Sequence, residues 1–293
     1  MPLRRSALAA AVVVVGLAGG VVVVDRGLPG PVAAPAAAAV ATEQADQTEP
    51  AATTTPPPPP SVFDTGVTTS HDQDEGLWLS WSLLDTADGR RVGSANSATE
   101  RTNAESSIEA WITTDFVRVA GERRRDVRAR DRAAIDAAIR RSDDQAAERL
   151  YRSLGADRVL RDLKSVCGVD VSTSRRGYWS YAQITATDAT AILDCVLDGA
   201  PTYSGGDEIV TDLRSVEPDG AFGVAEALPA STTVAMKNGW TAHSATGQWN
   251  VNCVAAWDHY SLAVLTRYPI GRQRDYGAAV CRDVTATLLA RLD

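Results

Sequence analysis

Residues Ser6 to Val24 carry no charge, and Arg4-Arg5 stands just before them. The run is built almost wholly from Ala, Val, Leu and Gly. A short basic flank followed by an apolar run is the pattern read by the secretion machinery. At about 20 residues such a run can also span a bilayer. Its length favours an uncut membrane anchor over a cleaved signal peptide across residues 1–27, and no cysteine follows it to accept a lipid. Everything beyond it is therefore expected to fold outside the cytoplasm, membrane-anchored or secreted.

That compartment constrains the cysteines. Cys167, Cys195, Cys253 and Cys281 make an even set in an oxidising space, where bridges are the rule. Three pairings are possible. Local pairing, Cys167 with Cys195 and Cys253 with Cys281, is preferred because each pair falls within one supersecondary segment.

Residues 28–70 read as a disordered linker. They are rich in Ala and Thr and contain the proline run Pro56 to Pro60. Such a stretch cannot bury enough apolar surface to order itself, and consecutive prolines make a stiff, extended spacer. The folded domain is expected over 71–293. Leu77 to Leu84 reads as a strand, Asp85 to Gly89 as a turn and Arg91 to Ala95 as the return strand. Asn103 is the expected N-cap of a helix whose buried face is Ile108, Trp111, Ile112, Phe116 and Val119. Further helices are expected over 132–141, 145–154 and, capped by Thr187, 187–197. Three strands follow, over 232–240, 249–257 and 262–268, and a last helix over 275–292. Terminal strands with helices inserted between them give an α/β layered domain with an antiparallel sheet.

A net charge of −8 argues against nucleic acid as a partner. The one basic stretch, Arg123-Arg124-Arg125 with Arg128, Arg130 and Arg132, is interleaved with acids and reads as a solvated helix face. His71, His243 and His259 are scattered, so surface or structural roles are expected for them, with no metal site and no cofactor.

Only two of the 29 basic residues are lysines, Lys164 and Lys237. Lys237-Asn238-Gly239-Trp240 lies on the strand expected from Thr232 to Trp240. Together with Glu105-Ser106-Ser107-Ile108-Glu109, Ser142-Asp143-Asp144, Gly177-Tyr178-Trp179-Ser180 and Trp249-Asn250-Val251-Asn252-Cys253, it resembles the class A β-lactamase and transpeptidase-like superfamily, with secreted actinobacterial serine hydrolases most similar. The resemblance implies a nucleophile at Ser106, a proton-relay hydroxyl at Ser142, and a ligand-binding strand of Lys237, Asn238 and Gly239. It also shows what is changed. No Ser-x-x-Lys exists anywhere in the chain, and Glu109 occupies the position of the activating lysine. Asp144 stands where the family has an amide. The family's Lys, Asn and Lys sum to +2, whereas Glu109, Asp144 and Lys237 sum to −1. Glu109 is expected to pair with Lys237, to have a lowered pKa and so to be a poor base. The segment 176–180, where the family's deacylating glutamate would fall, contains no acid.

The expected function is an exported, catalytically degenerate β-lactamase/penicillin-binding-like protein. It would bind peptidoglycan-derived or other envelope ligands, or act as a scaffold. The alternative is an active serine hydrolase or acyltransferase that uses Ser106 with Glu109 as base. A third reading, a generic exported domain, ranks below both.

Overall fold

The computed structural model describes residues 60–292. The expected anchor (1–27) and most of the expected linker lie outside the described residues. Among the described residues no helix is long and apolar enough to cross a membrane.

The chain runs β1 (Trp78–Asp85), β2 (Arg91–Gly93), β3 (Thr102–Asn103), a 3-10 turn (Glu105–Ile108) and α1 (Glu109–Glu122). The helical middle holds α2 (Ala129–Arg141), α3 (Asp144–Ser153) and α4 (Arg158–Cys167). Next come β4 (Ser172–Thr173), β5 (Ala182–Ile184), α5 (Ala186–Gly199), α6 (Asp207–Leu213) and α7 (Val224–Ala227). The sheet resumes with β6 (Ala235–Met236), β7 (Gly239–His243), β8 (Gln248–Trp257) and β9 (Tyr260–Pro269), and α8 (Gln273–Leu289) follows. The main sheet has the order β2-β1-β9-β8-β6, with β7 also paired to β8, and every pairing is antiparallel. Strands from both ends of the domain thus build one sheet around an inserted helical region.

Side chains alternate across a strand, and the sheet uses both faces. Trp81 and Leu83 of β1, Val251, Cys253 and Ala255 of β8, and Leu262 and Val264 of β9 pack with α8 on one face. Val254, Ala263 and Leu265 face the helical region and join Ile108, Trp111, Ile112 and the inner faces of α2, α3 and α5. Disulfides fasten both layers: Cys253–Cys281 joins β8 to α8, and Cys167–Cys195 joins the end of α4 to α5, with Cα separations of 6.2 and 5.6 Å. Gly223, at φ 76°, lies against the first of these. A Cβ there would come within 2.7 Å of Cys253 Sγ and of Cys281 Cβ.

Three sequence expectations are corrected. Asn103 caps no helix. It ends β3, and the helical segment begins at Glu105 because residues 103 and 104 are pinned from the sheet: Asn252 Nδ2 donates to the carbonyls of Asn103 (2.8 Å) and Ala104 (3.1 Å). The cap of α5 is Thr185, not Thr187. Its hydroxyl accepts from Asp188 N while Asp188 accepts from Thr185 N, a reciprocal capping box. The linker expected to reach residue 70 gives way earlier. Val62 is fully buried with its N–H on Arg291 O, and His71 sits between Asp74 (2.8 Å) and Asp283 (3.2 Å). The segment 61–76 is a strap over α8.

Candidate active site

The strand expected over 232–240 is interrupted at Lys237-Asn238, and the interruption shapes the site. Asn238 is buried and its side chain is fully engaged. Its Oδ1 accepts from Val254 N at 3.1 Å, taking the place of a ladder carbonyl. Its Nδ2 donates to Gly220 O and Phe222 O, both at 2.9 Å. Asn238 therefore ties the 220–222 loop to the sheet and offers no group to a ligand, against the expectation for it. Gly239 follows at closest approach to the 3-10 turn. A Cβ there would lie 2.6 Å from the backbone nitrogens of Ser106 and Ser107, so only glycine fits.

Glu109 and Lys237 sit behind Ser106. Lys237 Nζ is 3.1 Å from Glu109 Oε2, at side-chain exposures of 2 % and 0 %. This is an ion-pair contact without the direction of a hydrogen bond, and neither Glu109 oxygen has a well-aligned donor. Lys237 Nζ also donates to Ser142 Oγ and to Asn238 O. Ser142 reaches it because residue 142 closes α2 in the left-handed conformation, at φ 51°. Asp143, which caps α3 through Ala146 N, leads to Asp144 at the surface. Ser106, Glu109, Ser142 and Lys237 thus converge, with Asp144 close enough to act on the pair's charges.

Electrostatics reverse one expectation. Burial outweighs the attraction of Lys237 and pushes the Glu109 carboxyl up to about 7, where pairing alone would have lowered it. The neighbouring Ser106 hydroxyl favours the ionised form. Burial likewise lowers Lys237 below its ordinary value. Partial burial raises Asp144, with Asp143 adding to the effect.

The open cleft lies on the other side of Ser106. It encloses about 420 Å³ and is lined by Glu105, Ser106, Asp144, Tyr178, Trp179, Tyr181, Trp240 and His243, among others. Neither Lys237 nor Glu109 lines it. Glu105 carries no sequence expectation as a site residue, and His243, expected in a surface or structural role, is its half-buried partner. Glu105 is 1 % exposed and holds a left-handed backbone at φ 50°, a conformation that costs a non-glycine residue free energy. Its carboxylate lies 2.7 Å from His243 Nε2 and accepts from Thr241 Oγ1 at 2.8 Å and Asn250 Nδ2 at 3.2 Å. The hydrogen bond to Glu105 raises His243 above its ordinary value. Asn250 and Asn252, two residues apart on β8, face this side together. The Trp249-Asn-Val-Asn-Cys253 alternation therefore carried the one sequence signal for this network.

The fold is that of class A β-lactamases. A class A β-lactamase from Mycobacterium abscessus superposes with a TM-score of 0.61 at 21% identity, covering 75% of this chain and 95% of that one. The last common ancestor of Gram-negative bacteria class A β-lactamase (GNCA4) gives 0.61 at 22%, covering 74% and 95%. Among curated proteins, the Mycobacterium tuberculosis and Mycobacterium bovis proteins named "Putative lipoprotein LppW" are each 28% identical over 215 residues. The match takes in 69% of this chain and 62% of the length of those relatives. No protein-family model matches the chain.

Proposed function

We propose that this protein is an exported cell-envelope binding or scaffolding module built on a catalytically degenerate β-lactamase/penicillin-binding frame. Its ligand would be a peptidoglycan-derived or other envelope molecule. The observation that carries the reading is the burial of the Glu109–Lys237 pair. The group expected to hold a ligand carboxylate is turned inward and engaged by Glu109, Ser142 and its own chain. The cleft that remains is lined by Ser106, the acids Glu105 and Asp144, His243 and the rings of Tyr178, Trp179, Tyr181 and Trp240, with neither Glu109 nor Lys237 facing it, a surface suited to binding rather than to acyl transfer. The two disulfides fit a location outside the cytoplasm, as does the name of the mycobacterial relatives. The full-length protein incubated with a fluorescent penicillin should show no adduct by intact mass. An adduct at Ser106 would replace this reading with the second one.

The second reading is a serine hydrolase or acyltransferase using Ser106 with Glu109 as base. One observation favours it: a carboxyl near 7 beside a serine hydroxyl is matched to proton transfer at neutral pH. Its signature is fluorophosphonate labelling of Ser106 that rises through pH 7 and disappears in Glu109→Gln.

A further inference from the structure

A second cavity, sharing no residue with the cleft, lies at the corner between α1 and α2 and encloses about 420 Å³. That is within the ~300–1,000 Å³ range of small-ligand sites. Its apolar floor is Phe116, Val119 and Ala120 of α1 with Leu154 at the end of α3. Its rim is cationic, formed by Arg123, Arg125 and Arg128, and Asp126, Asp131 and Ser153 also line it.

The rim is held by the backbone. Arg123 N bonds to Val119 O (3.1 Å), Arg124 N to Gly121 O (2.9 Å) and Arg125 N to Ala120 O (2.9 Å), with Arg124 left-handed at φ 51°. The nearby acids are mostly engaged. Asp131 takes Arg128 at 2.8 Å and Arg130 at 3.7 Å, and Glu122 takes Arg118. Arg123, Arg124 and Arg125 have no ion pair among the described residues, and Asp126 is the one uncommitted acid beside them. In a chain of net charge −8, three adjacent unpaired cations are a local reversal of sign. Cations at a helix C-terminus gain from the macrodipole without any ligand. That accounts for the charge but not for a cavity with an apolar floor beneath it.

We infer that this corner binds an anionic amphiphile, with an acyl chain on the Phe116–Leu154 floor and a phosphate or carboxylate head against Arg123 and Arg125. Guanidinium groups present paired donors that match the oxygens of such a head. A free amphiphile and a membrane lipid share this chemistry, and the test separates them.

Full-length protein is titrated calorimetrically with monomeric dodecyl phosphate. Saturable one-to-one binding is expected. It should weaken at least tenfold in Arg123→Ala/Arg125→Ala, and at least tenfold when butyl phosphate replaces the long chain. Dodecyltrimethylammonium should not bind. Both arginines are exposed, so an unchanged melting temperature verifies that the variant folds. Absent binding, binding unaffected by the double variant, or butyl phosphate binding as tightly as dodecyl phosphate would each overturn the inference. Co-sedimentation with phosphatidylglycerol vesicles, compared with the same variant, then assigns the source. Capture that depends on the arginines identifies a bilayer lipid, and solution binding without such capture identifies a free amphiphile. The penicillin experiment above reads Ser106 alone, so the two proposals fail separately.

Discussion

Removing Lys237 should do more damage than any surface change. Lys237→Met leaves Glu109 with no cation at full burial and no aligned donor on either oxygen. Breaking a buried pair by deleting one partner costs about 3–5 kcal/mol where the remaining group stays charged. Glu109, already raised to about 7 beside Lys237, escapes part of that cost by taking up a proton, so the full loss is read at about pH 8, above that value. The pair is enclosed on all sides, so solvent screening gives no discount. For a folded unit of this size, about 2–4 °C of melting temperature corresponds to 1 kcal/mol, so a fall of roughly 6–20 °C is expected. The partner experiment is Glu109→Leu/Lys237→Met, which removes both charges at similar volume. Such replacements are often neutral or stabilising, so the double variant should recover most of the loss. Urea denaturation of wild type, both single variants and the double closes the cycle. A single-variant cost below about 1 kcal/mol, or a double variant as unstable as Lys237→Met, would refute the picture of a stranded charge.

Glu109 also predicts a pH dependence. Its folded-state pKa, about 7, lies above the ordinary 4.5. The folded state therefore binds this proton more tightly, and the stabilisation is fully present below about 4.5 and lost as pH rises to about 7. Chemical denaturation across that window should show a steeper loss in wild type than in Glu109→Gln, the remaining slope coming from other raised groups such as Asp115 and Asp144; identical slopes would contradict it. Gly239→Ala drives a methyl into the nitrogens of Ser106 and Ser107 and should cost about 1–3 kcal/mol while shifting the tryptophan fluorescence of the cleft; an unchanged melting curve would show that the turn can retreat. Reduction of either disulfide releases a 28-residue loop worth about 3–4 kcal/mol, measured as the melting difference with and without reductant. Glu109→Lys restores the Ser-x-x-Lys spacing and should allow weak penicillin labelling at Ser106, read by intact mass; absence of any label in a folded variant would show that Ser106 itself is misplaced.

Much of the architecture was legible because it is written in local pattern. The alternating residues of β1, β8 and β9 and the helical spacing of Ile108, Trp111 and Ile112 point to their burial directly. The cysteine pairing followed from segment membership. The caps were less legible: Asn103 has the right chemistry for an N-cap, but Asn252, 149 residues away, decides what its backbone does. The same limit hid Glu105. Nothing near it in sequence indicates that His243, Thr241 and Asn250 will converge on its carboxylate. Lys237 and Glu109 were legible as a pair, but the sign of the Glu109 shift was not, because it depends on how deeply the pair is enclosed.

The strap over α8 has a mechanical consequence. Residue 62 is hydrogen-bonded to residue 291, and His71 is clasped by Asp74 and Asp283. A pull applied at Pro60 is borne first by these polar contacts and by the buried side chain of Val62 with Phe63 and Val67 packed beside it, because the sheet begins only at Trp78. The strap is thus a fuse. Under load it peels from α8 and lengthens the reach of the domain by up to about 3.3–3.6 Å per freed residue, while β1 remains zipped to β9 along its whole length.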